Sequence, residues 1–126
     1  MKRVLLVIIG CLLFCTSCDR FIEVDGGFPD KIHIPKEGGE LTLTGSMPII
    51  SISIYGKDNE KRSRYNKEDG SVEVKNHWLI ARAETRGSKT FSLTAEPNTS
   101  NKSRKFDIYI NYTSGLEYAC FTVKQD

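Results

Sequence analysis

The stretch Phe106-Asp107-Ile108-Tyr109-Ile110-Asn111-Tyr112-Thr113-Ser114-Gly115-Leu116-Glu117-Tyr118-Ala119-Cys120-Phe121-Thr122-Val123 decides the fold. Apolar and polar residues alternate on both sides of the Thr113-Ser114-Gly115-Leu116 turn. That two-residue period belongs to strands with one buried and one wet face. Pairing Tyr112 with Glu117 sets Ile110 opposite Ala119, Ile108 opposite Phe121 and Phe106 opposite Val123. A slip of one residue would set apolar against polar throughout, so the pattern itself selects the register. The opposite face then carries Asp107 with Thr122, Tyr109 with Cys120, and Asn111 with Tyr118.

The same period runs upstream. Ile32 and Ile34 alternate with Lys31 and His33; Leu41 and Leu43 with Thr42 and Thr44; Ile50, Ile52 and Ile54 with Ser51, Ser53 and Tyr55. Val72 and Val74 follow, then Phe91, Leu93 and Ala95. No stretch after residue 18 sustains an amphipathic-helix pattern. An all-β, antiparallel β-sandwich of about seven short strands is therefore expected. Gly38-Gly39 supplies the turn between the first two strands, and Pro97 to Ser103 forms a polar loop. Trp78 shares the parity of Val72 and Val74 if that strand continues, which turns it inward. Gly56 to Gly70, with five basic and four acidic residues around Tyr65, reads as a solvated connection or a frayed hairpin.

With 126 residues, 39% of them hydrophobic, the chain has room for one domain and none for a barrel or doubly wound sheet. Removing Lys2 and Arg3 from the 18 basic residues leaves a balance with the 16 acidic ones. A neutral domain exerts no overall attraction on nucleic acid, so no nucleic-acid partner is expected. His33 and His77 lie in different strand regions without ligand spacing. No nucleophile elbow or phosphate-binding glycine loop occurs, so neither catalysis, a cofactor nor a metal is expected.

The first residues read as an address. Basic Met1-Lys2-Arg3 precedes an eleven-residue apolar run, Val4 to Phe14. A spanning helix needs about 20 such residues, whereas a secretory signal needs only a short apolar centre. The run ends in Phe14-Cys15-Thr16-Ser17-Cys18, which resembles a bacterial lipobox with Cys15 where Leu or Val is usual. That resemblance implies a signal peptide over 1–17 and acylation of Cys18. Residues 18–30 then form a lipidated tether before a domain at 31–126, unless Phe21, Ile22, Val24 and Phe28 pack onto the sandwich. Cys120 remains as a lone thiol, with no disulfide expected.

Three segments together resemble the BACON domain, the Bacteroidetes-associated carbohydrate-binding often N-terminal module. They are Ile34-Pro35-Lys36-Glu37-Gly38-Gly39-Glu40-Leu41-Thr42-Leu43, Trp78-Leu79-Ile80, and the run from Phe91 through Asn98, Arg104 and Ile108 to Phe121-Thr122-Val123-Lys124-Gln125. The resemblance implies an immunoglobulin-like sandwich and a cell-envelope setting; the family's name points to carbohydrate as ligand, while its members also look like spacers that hold other modules off the membrane. Sugar binding needs an aromatic face beside polar groups. Tyr109, Asn111 and Tyr118, on the wet face of the last hairpin, are the candidate ligand-binding residues. The expectation is a non-catalytic outer-membrane lipoprotein, bound to the bilayer through Cys18, that acts as a binding or interaction module at the cell envelope, with a glycan as one candidate ligand. The alternative is a structural or adhesin-like subunit that docks an envelope protein through an exposed strand edge.

Overall fold

The computed structural model describes residues 22–24, 26–57, 59–112 and 117–126. The leader 1–17, Cys18 and the hairpin turn 113–116 lie outside the described residues. In chain order the strands are β1 (Ile22–Glu23), β2 (Lys31–Ile34), β3 (Gly39–Thr44), β4 (Ile49–Tyr55), β5 (Glu60–Arg62), β6 (Arg64–Tyr65), β7 (Val72–Asn76), β8 (Leu79–Ala83), β9 (Thr90–Ala95), β10 (Arg104–Tyr112) and β11 (Glu117–Gln125). One sheet runs β1-β11-β10-β4-β5, with β2 also on β11; the other runs β3-β9-β8-β7-β6. The chain is a β-sandwich, and the predicted pairs Phe106–Val123, Ile108–Phe121 and Ile110–Ala119 are in register.

Four strands go beyond the seven expected. β8 follows a two-residue loop, His77-Trp78, which closes the Asn76–Leu79 pair. A loop of that length needs positive φ at its first position, and His77 has φ 53°. Trp78 is buried as expected, but a turn rather than strand parity carries it inward. β5 and β6 occupy the segment read as a connection or hairpin. They form one extended stretch that changes sheets at Ser63, since β5 pairs with β4 and β6 with β7. Ser63 donates its N–H to the Ile52 carbonyl at 2.8 Å, and its Oγ accepts the Ile52 N–H at 3.0 Å. Every residue of these two strands is exposed, so backbone pairing forms them without an alternating signature.

Two pairings are parallel rather than antiparallel. β1 and β2 both run along the edge of β11 that β10 does not use. Between them the chain lies on the sandwich. Val24 N–H bonds to the Tyr118 carbonyl at 2.8 Å, and the Gly26 carbonyl accepts from Ser46 at 2.9 Å. Phe28 sits 5.5 Å from both the Phe91 and Phe121 rings. The side chain thus closes one open edge between the sheets. A register shift at Asn111/Tyr112 puts Ile49, not Ile50, opposite Tyr112. Ile49 is consequently buried, whereas Ile50, expected inward with Ile52 and Ile54, is only half-buried and lines an outer groove.

The core comprises Ile52, Ile54, Ile108, Ile110, Phe121 and Val123 from one sheet against Val72, Val74, Leu79, Ala81, Phe91 and Leu93 from the other. Each of these side chains except the small Ala81 contributes roughly 1.5–3 kcal/mol on burial. One end of the sandwich is closed by polar groups. Fully buried Gln125 donates to the carbonyls of Pro35 (3.1 Å) and Glu96 (2.8 Å) and accepts from Arg104 Nε (2.7 Å). Arg104 also donates to the Glu96 and Pro97 carbonyls, and its guanidinium lies 4.6 Å above the Trp78 ring. Phe106 stacks against Trp78, 5.0 Å away. Asn98 bonds the carbonyls of Lys102 and Asp126. Pro35, Trp78, Asn98, Arg104 and Gln125, dispersed in sequence, therefore form one structural clasp.

Candidate functional site

The outer face of the β4-β10-β11 sheet follows from strand parity. Ile52, Ile54, Ile108 and Ile110 point inward, so Ser51, Ser53, Tyr55, Tyr109 and Asn111 point outward. Register then brings Tyr109 opposite both Ser53 and Cys120, and Asn111 opposite both Ser51 and Tyr118. All three candidate residues lie together. Tyr109 is 4.8 Å from Tyr55 and 5.8 Å from Tyr118, centroid to centroid, so three half-buried rings cross three adjacent strands. Asn111 donates to Ser51 Oγ at 3.0 Å.

An open groove of about 510 Å³ runs over this strip, lined by Ile50, Ser51, Ser53, Tyr55, Tyr109 and Tyr118, with Asn111 and Arg62. Tyr55 and Arg62 were absent from the sequence-based candidates. Tyr55 shows outward parity in its own strand. No local signal places β4 beside β10, however, nor β5 beside β4. Arg62 Nε donates to Glu60 Oε2 at 2.6 Å, and Tyr55 Oη donates to the same oxygen at 2.9 Å. These bonds, Arg62 first, hold the Glu60 carboxyl below its usual range. Glu60 in turn raises the Tyr55 phenol and the Arg62 guanidinium.

Tyr109 is pushed up to about 12, first by hydrogen bonding with Cys120 and then by its charge. Cys120 is a half-buried free thiol, and desolvation raises it. The opposite outer face differs. Arg82 there is engaged by Glu73 at 3.0 Å and by Asp69 and Glu84 at 3.6 Å, while Arg86 covers exposed Tyr65. Neither histidine joins a cluster: His33 meets Asp126 at 2.8 Å, and His77 meets Asn59. Among the described residues, no group of three or more His, Cys, Asp or Glu could hold a metal. No helix among them is long and apolar enough to cross a membrane.

The family profile described as "BACON: Putative binding domain, N-terminal" matches residues 67–126. That segment, a little under half of the chain, is similar to the BACON family. The match takes in Trp78, Asn98, Arg104 and Gln125 of the clasp, and Tyr109, Asn111 and Tyr118 of the groove. It leaves out Tyr55 and Arg62, so the groove is built partly from residues beyond the matched BACON span. The NMR structure of a protein from Bacteroides thetaiotaomicron is similar, with a TM-score of 0.54 and 19% identity over 85% of each chain. That likeness shows a shared fold. No curated protein matches the chain.

Proposed function

We propose that this protein is a non-catalytic glycan-binding lipoprotein of the outer membrane. The observation that carries the binding reading is the groove across Tyr55, Tyr109 and Tyr118. Aromatic rings stack on the C–H face of a pyranose, and Asn111, Ser51 and Ser53 offer partners to its hydroxyls. The rings sit on paired strands rather than on loops, so little ordering entropy is lost on binding. The BACON description as a binding domain supports this reading.

The anchor is read from sequence. Acylation at Cys18 after removal of residues 1–17 adds about 0.8 kcal/mol per buried methylene, so two or more chains hold the protein durably. Tagged fatty acid should label the wild-type protein and not Cys18→Ala; unlabelled wild type removes the anchor. For the groove, Tyr109→Ala with Tyr118→Ala should lower retention on an immobilised glycan while leaving the unfolding midpoint near wild type. Unchanged retention of a glycan that wild type binds removes the site.

A second reading, docking of an envelope protein, draws on β3. This edge strand pairs only with β9 among the described residues, and it leaves Leu41 39% exposed. An unpaired edge is a template for an added strand. Pull-down from the envelope, repeated with Thr42→Pro to block the edge, tests it. Loss of a captured partner in the variant supports docking.

A further inference from the structure

The groove has one charged residue in its lining, Arg62, and its setting bears on which sugars fit. β5 is fixed against β4 by the two bonds between Ser63 and Ile52, and this places Arg62 opposite Ser53. Glu60 takes the Nε side of the guanidinium and holds Tyr55 through the same oxygen. The Arg62 side chain remains 75% exposed. Its NH1 and NH2 edge is therefore a fork oriented by Glu60 next to the tyrosine strip. Other carboxylates on this face lie outside the lining. Asp107 accepts a hydrogen bond from Thr122 at 2.8 Å, and Glu23 stands opposite Tyr118 at the β1 edge.

We infer that the groove selects glycans carrying a carboxylate, with Arg62 as the residue that determines this specificity. The inference rests on the glycan-binding reading above. A planar carboxylate matches the guanidinium fork in two parallel charge-assisted bonds, which a neutral hydroxymethyl group cannot form. Because Glu60 shares the charge of Arg62, discrimination comes from the fork rather than from a long-range field. The sugar ring stacks on Tyr109 and Tyr118 while its acid group reaches across Tyr55 to Arg62.

The test compares polygalacturonate with its methyl ester, the same backbone with the charge removed, in native affinity electrophoresis. Wild-type protein should be retarded by the acid at least about tenfold more strongly than by the ester. That difference corresponds to about 1.4 kcal/mol. Arg62→Gln should abolish the difference, and Arg62→Lys should restore only part of it, since it returns charge without the fork. Arg62 is exposed, so unfolding midpoints of both variants should stay near wild type. Equal retardation by acid and ester, or discrimination that survives in Arg62→Gln, overturns the inference. The glycan reading still stands in that case if Tyr109→Ala with Tyr118→Ala loses retardation. Absence of retardation by either polymer overturns the inference as well, and retardation that the double tyrosine variant keeps removes the groove.

Discussion

Arg104 Nε lies 2.7 Å from Gln125 Oε1, tying the first residue of β10 to the last of β11. The bond holds the Gln125 amide so that its two N–H groups meet the Pro35 and Glu96 carbonyls. Gln125→Leu keeps similar volume but removes all three bonds. The Glu96 carbonyl keeps Arg104 and the Pro35 carbonyl keeps the Gly38 N–H, so the cost is that of three lost bonds at about 1 kcal/mol each, about 3 kcal/mol in all. Urea unfolding measures it; a change below about 1 kcal/mol would show that water replaces the clasp.

Gly38 has φ +81°, and a Cβ there would press on the Ala95 carbonyl and lie 2.9 Å from the Glu96 carbonyl carbon. Gly39 has φ +135° with nothing within 4 Å of its Cβ position. Both positions strain an L-residue, but only Gly38 adds a backbone clash. Gly38→Ala should therefore lower stability by at least about 2 kcal/mol more than Gly39→Ala. Equal thermal midpoints for the two variants would count against the close approach of this turn to β9.

The terminal hairpin was legible because its two strands alternate without interruption and every slip is penalised. β8 was not, because Trp78-Leu79-Ile80-Ala81 is a continuous apolar run that hides the turn before it. β5 and β6 bury nothing, so no periodicity marks them. Ile50 was misplaced by a register shift that depends on a partner strand distant in sequence. The same reasoning divides the groove. Tyr109, Asn111 and Tyr118 belong to one hairpin and could be set on one face from their own register. Tyr55 and Arg62 join them only through the β4–β10 and β4–β5 pairings, which no local pattern encodes.

Phe28 lies outside the alternating strands, yet its ring contacts Phe91 edge-on and Phe121 at a tilt, each at 5.5 Å. Truncation to Ala opens a space between the sheets that Gly45 and the Gly26 backbone border. For a half-buried Phe the cost should be about 2 kcal/mol, below the 3–5 kcal/mol of a fully buried one. Chemical denaturation of Phe28→Ala tests it. A value within about 0.5 kcal/mol of wild type would mean that this segment adds little to the packing between the sheets.

Tyr109 should ionise later than an ordinary tyrosine. Its phenol is raised to about 12 by Cys120, whose thiol loses its proton first and then opposes a second negative charge across the strand pair. A folded value above the ordinary one of about 10 favours the folded state while the phenol is protonated. The contribution is complete below pH about 10 and is lost as pH rises toward 12. Phenolate absorbance should show a late step that Tyr109→Phe removes. Cys120→Ala takes away both the hydrogen bond and the charge, so the step should move to lower pH. If the late step stays in place in Cys120→Ala, the thiol is not its cause and the coupling between these two side chains must be abandoned.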